Sequence, residues 1–571
     1  VSATPALIAL ALAAPLALAL ASTAARRRIL PLAWLAPLPA LALAVAGEQA
    51  AVLELPWLLT GVAFGMDAAG RTFLLFTSLL WLLSGLFAQC HLRHDPAAAR
   101  FHVFFLVALA GNLGLVLARD MVGFYLGFAV MSFAAYVLVI HDGSGEARRA
   151  GLVYIVLVAI GEALVIAGVV VAAAEAGTEL AGLGARLAHA PHRDLIAGLL
   201  LAGFGIKAGA VPLHVWLPLA HPVAPAPASA VLSGAMIKAG LLGWLRFLPP
   251  GEAALPGAGE LCIAIGMLSA FYGVAVGIAQ SDAKTVLAYS SISQMGLMIV
   301  GVGAGLSSPE AWPVAAAAVA TYASHHGLAK GALFLGTAIA GENSPSGLRR
   351  HAVAAGLVLP ALALAGAPLT SGMPAKAMLK QAVSLSGSGW ASPVLALLPV
   401  AAVGTALLLA RFLVLAWPRA RRPRPVPWGL MLPWGLLLAA VASLAWIVPA
   451  EAGFERALEI SAAGLWEAAW PVALGGGLAA AAIRLPRVRA AGIAPGDLLV
   501  PIERLTRAAL PAAERAVRAC RPGPAKVSRW IPALLGRALD TAAALPRWPA
   551  AMTLFLIVLL VAALALAAGG G

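Results

Sequence analysis

The sequence predicts an all-α, polytopic membrane protein with about sixteen transmembrane helices, and three observations carry that prediction. Of 571 residues, 62% are hydrophobic and 11% charged, whereas an average soluble domain is about one quarter charged. Apolar runs of roughly 20 residues, the length that crosses a bilayer core, recur along the chain. The remaining charges fall between those runs in alternation.

The runs are centred near residues 13, 38, 80, 109, 130, 162, 202, 236, 268, 295, 325, 363, 402, 437, 474 and 559. The first, "TPALIALALAAPLALALAS", has no basic segment before it and is followed by Arg26, Arg27 and Arg28. It therefore reads as a transmembrane helix rather than a cleaved leader. The loops "ARRR", "HLRHDPAAAR", "GEARR", "SDAKT", "SGLRRH" and "WPRARRPRP" carry the basic residues. The opposite loops hold Glu48, Glu54, Asp67, Glu175, Glu179, Glu252, Glu310, Glu451 and Glu459. Basic loops stay cytoplasmic, so the expectation is a bacterial-type inner membrane with both termini on the outer, periplasmic side.

The chain divides into N-terminal helices at 1–60, a core at 61–410, further transmembrane helices at 411–483, a basic amphipathic cytoplasmic-surface segment at 484–548, and a final helix at 549–571. The surface segment is cut by Pro495, Pro501, Pro511, Pro522, Pro524 and Pro532, which argues against one rigid rod. The net charge of +14 follows the loops, so it reflects membrane topology and not nucleic-acid binding. Cys90, Cys262 and Cys520 are far apart and form no CxxC, which leaves no iron–sulfur or zinc framework. No cofactor site is expected, and any redox chemistry belongs to partner subunits.

Function is expected where charge enters the apolar runs, because an ionisable group at mid-membrane costs about 2.5–3.5 kcal/mol on insertion scales. Lys207 and Lys238 both lie in such runs. The alternative is a lysine that snorkels to the interface. After Lys207 come Pro212, His214, Pro218 and His221 in "KAGAVPLHVWLPLAH", a pattern of a broken helix lining a wet cavity. A second break is expected in "LAGAPLTSGMPAKAMLK", where Pro368, Gly372 and Pro374 precede Lys376. Paired breaks, here near residues 207–218 and 366–376, are the sign of inverted repeats with ion sites at the interruptions. Between them, "TYASHHGLAKGALFLG" adds His325, His326 and Lys330. Histidine carries protons near neutral pH, although a single buried histidine is more often a satisfied core residue. No carboxylate or cysteine cluster accompanies these histidines, so a metal site is not expected.

These stretches resemble the antiporter-like proton-translocating subunits of respiratory complex I, Mrp-type cation/proton antiporters and membrane-bound hydrogenases. The resemblance rests on "KAGAVPLHVWLPLAHPVAPAPASAVLSGAMIKAGLLGWLR", "SDAKTVLAYSSISQMG", "HHGLAKGALFLG" and "PLTSGMPAK", and covers about residues 60–410. "HPVAPAPASAVLSGAMIK" is most similar to the large membrane subunits of formate-hydrogenlyase-type complexes. The resemblance implies that Lys207 is the central lysine of a first half-channel and Lys238 the connecting lysine. It also implies that His326 and Lys330 continue a polar axis and that Lys376 is the second-half lysine near the exit. His214 and His325 complete the expected proton pathway.

One departure bears on mechanism. The family pattern is roughly FYxxWExMSxxxY, and "FYLGFAVMSFAAY" places Ala129 where the glutamate partner of Lys207 belongs. The next run holds an unusual carboxylate, Glu162, in "VAIGEALVIAG". Counted from the cytoplasmic ends near residues 140 and 150, Ala129 lies 140 − 129 = 11 residues in and Glu162 lies 162 − 150 = 12. The expectation is that Glu162 replaces the missing partner; its alternative is a Glu162 that faces headgroups or another subunit. Leu219 also stands where an acidic residue is common, which bears on proton uptake.

The leading expectation is a proton-translocating subunit of a multi-subunit redox-driven complex, embedded in lipid beside other membrane subunits and peripheral redox subunits. Three alternatives stay open: a subunit of a cation/proton antiporter or inorganic-carbon uptake complex, a non-pumping scaffold, and a self-sufficient solute transporter. The last is disfavoured because the polar residues form a line rather than one solute pocket.

Overall fold

The computed structural model describes residues 4–24, 26–59, 61–248, 251–342, 347–418, 426–451, 461–484, 493–496 and 498–499. The expected amphipathic segment, apart from a few of its first residues, and the expected final helix near residue 559 lie outside the described residues.

Helices α1 (Thr4–Ala24), α2 (Arg26–Ile29) and α3 (Leu38–Ala46) lead into α4 (Ala68–His91), α5 (Ala98–Leu117), α6 (Met121–Val139) and α7 (Gly145–Ala176). A short α8 (Leu183–Ala188) precedes α9 (Arg193–Ala208), α10 (Leu217–Val223), α11 (Ala226–Val231) and α12 (Lys238–Phe247). Next come α13 (Pro256–Ile278), α14 (Ala283–Ser307), α15 (Trp312–Glu342), α16 (Gly347–Ala365) and α17 (Gly372–Leu385), then α18 (Ala391–Ala416), α19 (Trp428–Glu451) and α20 (Ala462–Arg484). Fifteen of the sixteen expected span centres fall in these helices or in the composite Ala226–Phe247 span. Among the described residues, ten helical segments are long and apolar enough to cross a membrane. The α9 helix is shorter because it stops before Gly209.

Polar caps start several spans. The Asp120 carboxylate accepts from Gly123 N–H at 2.7 Å, Ser144 Oγ from Ala147 at 3.1 Å and Asp282 from Thr285 at 2.8 Å, each satisfying a first-turn amide that helix geometry leaves free. Small residues then let helices close on one another, as is common where lipid gives no hydrophobic drive between helices. Along α13 and α14, a methyl added at Gly266 would sit 2.6 Å from the Gly296 carbonyl oxygen, and one at Gly303 2.6 Å from that of Gly259.

In a stretch expected as loop, β1 (Val52–Leu55) and β2 (Val62–Gly65) pair as an antiparallel hairpin, in the register Val52 to Gly65. Asp120 holds it by accepting from Ala63 N–H at 2.7 Å. The hairpin thus straddles the boundary expected at residue 60 and belongs with the start of α6.

Both expected helix breaks are present, with different limits. The first runs from Gly209 to Trp216, and Pro218 lies at the start of α10 rather than breaking a helix, a position where its missing N–H and fixed φ suit a first turn. The second runs from Gly366 to Ser371, so Gly372 and Pro374 occupy the first turn of α17 and Lys376 lies one turn inside it. Each break opens on a glycine with positive φ, +72° at Gly209 and +84° at Gly366, a conformation that side chains resist. A third discontinuity was unexpected: Leu232–Met236 forms a π-helical turn just before Lys238, a device frequent at functional sites.

Candidate functional site

The first break positions Lys207. It lies in the last turn of α9, 4% exposed, and the pyrrole N–H of Trp216 bonds the Ile206 carbonyl at 2.9 Å, folding the broken segment back over the helix end. The Lys207 ammonium donates to Ser132 Oγ at 3.1 Å and to the Tyr154 hydroxyl at 3.3 Å. Tyr154 in turn donates to the Ser132 carbonyl at 2.9 Å. The rings of Phe128 and Tyr154 stand 5.8 and 5.6 Å from the ammonium, within cation–π range.

Glu162 comes to the same place from α7. It is 2% exposed and lines, with Lys207, Ser132, Phe128 and Trp216, a pocket of about 10 Å³. The two charges interact electrostatically, and the Ser132 hydroxyl acts on the Glu162 carboxylate as well as on Lys207; carboxylate and ammonium are not in ion-pair contact. Both residues lie 14 positions from helix ends on one side of the bundle, 176 − 162 for α7 and 207 − 193 for α9, which is about 21 Å at 1.5 Å per residue. Among the described residues, Glu162 and Asp120 are the buried carboxylates, and Asp120 is engaged as a helix cap. Ala129 is buried in α6 one turn from Ser132.

The second group lies across the bundle. Lys238, wholly buried, donates to the Ser233 carbonyl within the π-helical turn, and Ser233 Oγ meets Ser291 Oγ at 2.8 Å. Lys330, also buried, donates to the Leu287 carbonyl at 2.7 Å and to Ser290 Oγ. Ser290 of "AYSSISQ" thus holds Lys330 directly, and Ser291 contacts the π-helical turn whose Ser233 carbonyl accepts from Lys238. His326 interacts electrostatically with Lys238, Lys330 and His325, and His325 Nδ1 meets Ser371 Oγ at 2.8 Å in the second break. Lys376 follows, half-buried, donating to the Ala365 carbonyl at the broken end of α16.

His214 lies in the first break, its ring 5.0 Å from that of Tyr272 and 6.5 Å from that of Tyr289. His221 was not among the expected site residues. It stacks on Phe334 at 4.8 Å and interacts with Lys238, Lys284 and Lys330. Its sequence signal was present in "LPLAHPVAP", where a histidine is framed by prolines inside an apolar stretch. The geometry therefore brings together two sets: Glu162 with Lys207, and Lys238, His326, Lys330, His325 and Lys376 with His221. Among the described residues, no three His, Cys, Asp or Glu side chains are grouped to hold a metal ion.

Buried cations separated by hydroxyls and imidazoles can hold and pass protons. An uncharacterized protein of Mycobacterium tuberculosis is 32% identical over 366 residues, 61% of this chain and 56% of the relative. Hydrogenase-4 component B of Escherichia coli is 32% identical over 282 residues, 48% of this chain and 42% of the relative. The chain thus spans about half the length of these curated relatives. In fold, it superposes on a chain of the Mrp complex from Dietzia sp. with a TM-score of 0.76 at 22% identity, covering 96% of this chain and 63% of that one. Residues 118–400 match the family model described as "NADH:quinone oxidoreductase/Mrp antiporter, TM", and through that membrane domain the chain belongs to the family of antiporter-like subunits shared by respiratory complexes, hydrogenases and Mrp antiporters.

Proposed function

We propose that this chain carries protons through the membrane as one subunit of a multi-subunit complex, using Glu162–Lys207 as the switching pair of a first half-channel. The proton then moves along Lys238, His326, Lys330 and His325 to Lys376, with His214 between the two groups. The observation that carries the reading is the placement of Glu162, a buried carboxylate in the same small pocket as Lys207.

A buried carboxylate left unpaired is expensive, and its neighbouring ammonium lowers that expense only while both are charged. Transfer of one proton from Lys207 to Glu162 makes both groups neutral. Return of that proton to Lys207 restores two charges, which the low-dielectric interior opposes most when the pair is apart. The pair therefore has two arrangements that a neighbouring charge can bias. The ring nitrogens of His221 and His326 are buried without hydrogen bonds, a cost of about 1–3 kcal/mol per group that a proton-carrying role explains.

The energy source is assigned to redox subunits at the periphery of the complex. The similarity to hydrogenase-4 component B supports that assignment, and the fold of the Mrp chain supports the alternative, cation/proton antiport. The basic loops are assigned to the cytoplasmic face of a bacterial inner membrane.

Proton uptake by vesicles holding the intact complex tests the proposal. Lys238→Met and Lys376→Met are expected to abolish uptake while leaving the subunits assembled. Full uptake in both variants would leave the chain a scaffold. Mass spectrometry of the same complex distinguishes the drivers, since iron–sulfur or flavin subunits support redox drive and a set of small membrane subunits alone supports antiport.

A further inference from the structure

Beyond Lys376 the bundle opens into a cavity of about 260 Å³ between α17, α18 and α20, lined by Lys376, Lys380, Pro399, Ser461, Glu467 and Pro471 among others. Lys380 lies one helical turn beyond Lys376 and donates to Glu467 at 2.7 Å. The pair is 34% exposed on the lysine side and 62% on the glutamate side.

Helix parity places this pair between Lys376 and one face of the membrane. The α17 helix ends at Leu385, and α20 begins at Ala462 on the same side after α18 and α19 have crossed and returned. Lys380 is 385 − 380 = 5 residues from that face and Glu467 is 467 − 462 = 5, about 7.5 Å in each case. Lys376 is 385 − 376 = 9 residues deep, about 13.5 Å.

Two further features mark the cavity as a path rather than a packing defect. Lys376 and Lys380 are like charges at i, i+4, an arrangement unfavourable on a helix, and Glu467 is the carboxylate in the lining that offsets it. Pro399 and Pro471 face the cavity from inside their helices. A proline has no N–H for the carbonyl four residues earlier, which here frees acceptors at Leu395 and at Glu467 itself.

We infer that the Glu467–Lys380 pair is the gate through which Lys376 exchanges its proton with the solution on the side of the loop at residues 386–390. The inference rests on the proton-carrying reading above. When the gate opens, the Lys376 ammonium gives one proton, through solvent in the cavity, to the Glu467 carboxylate. Lys376 is left as the neutral amine and Glu467 as the carboxylic acid. Glu467 then releases that proton to the solution and pairs again with Lys380, so one proton leaves and both gate residues return to their starting charge. Glu467 is thus a relay and Lys380 a positioning residue.

Vesicles holding the intact complex test the gate with Glu467→Gln, Glu467→Asp and Lys207→Met. The expected result is about a tenfold or greater loss of proton flux in Glu467→Gln, below the full contribution of a positioned proton-transfer group, recovery in Glu467→Asp, and abolition in Lys207→Met. Unchanged flux in Glu467→Gln with abolition in Lys207→Met overturns the gate and leaves the axis intact. Unchanged flux in Lys207→Met overturns the axis and the gate with it. Labelling is independent of flux: with Cys90, Cys262 and Cys520 replaced by serine, a thiol at Ala377→Cys is expected to react with a membrane-impermeant reagent only from the side of the 386–390 loop. Reaction from the opposite side, or from neither, overturns the gate.

Discussion

Glu162 and Lys207 meet at one depth from two different helices, in a pocket closed by Phe128 and Trp216. The ammonium is held by Ser132 and Tyr154 rather than by the carboxylate itself. This leaves the carboxylate near enough to sense the lysine charge without a direct ion pair.

Removing either neutral ligand of Lys207 should weaken the switch without destroying it. A hydrogen bond to a charged group contributes about 1.5–3 kcal/mol, and about 1.4 kcal/mol is tenfold in rate. Ser132→Ala and Tyr154→Phe are each expected to lower proton flux about tenfold or somewhat more, as read by a pH-sensitive dye in vesicles. Flux at the unmodified level in both would remove these groups from the site.

Ser371 ties His325 to the second break at 2.8 Å. Ser371→Ala is expected to reduce flux about tenfold by the same reasoning, and Ser371→Thr to keep it, because the hydroxyl is retained. Equal rates for the two variants would show that the link carries no proton.

The breaks themselves depend on two glycines. A Cβ at Gly209 would lie 2.2 Å from Leu217 Cδ1, and one at Gly366 would lie 2.7 Å from Lys376 Cδ, both at positive φ. Gly209→Ala and Gly366→Val are expected to destabilise the fold by about 1–3 kcal/mol or more, seen as a lower Tm in detergent. A substitution at Gly143, where nothing lies within 4 Å but φ is +71°, should cost less than either.

Outside the membrane, Asp95 joins the loop after α4 to His141 after α6 at 2.9 Å. Burial alone would raise its pKa, but the His141 hydrogen bond, the Ala97 N–H and the charges of His141 and Arg100 outweigh it and hold the carboxyl below the usual aspartate value. A depressed carboxylate pKa contributes stability that is present above the unfolded-state value and lost as pH falls through the folded one. The loop pairing should therefore persist at neutral pH and fail in acid, at and below about pH 4. Asp95→Asn should lower Tm at pH 7 and flatten its decline in acid; parallel Tm curves would contradict the assignment.

The sequence made the architecture readable because hydrocarbon permits little besides apolar helices of a set length, and basic loops record their direction. Lys207, Lys238, Lys330 and Lys376 stood out for the same reason, as charges where charge is expensive. Counting from helix ends puts Glu162 at the depth of Ala129, where the family pattern has the glutamate partner of Lys207, because helical rise is regular. The β-hairpin at 52–65 was missed because its residues are as apolar as the spans around them. The π-helical turn before Lys238 left no signal beyond a Ser–Gly pair. His221 was visible but set aside, and only tertiary packing shows that it faces three lysines. Glu467 lies 87 residues from Lys380, a pairing that no local pattern marks.

The most direct test of the central claim returns the carboxylate to the position it occupies in the family pattern. Proton flux is measured in vesicles holding the intact complex with Glu162→Ala, and again with Glu162→Ala combined with Ala129→Glu. If Glu162 is the partner of Lys207, the single variant loses flux and the double variant regains it. Full flux in the single variant would contradict the account.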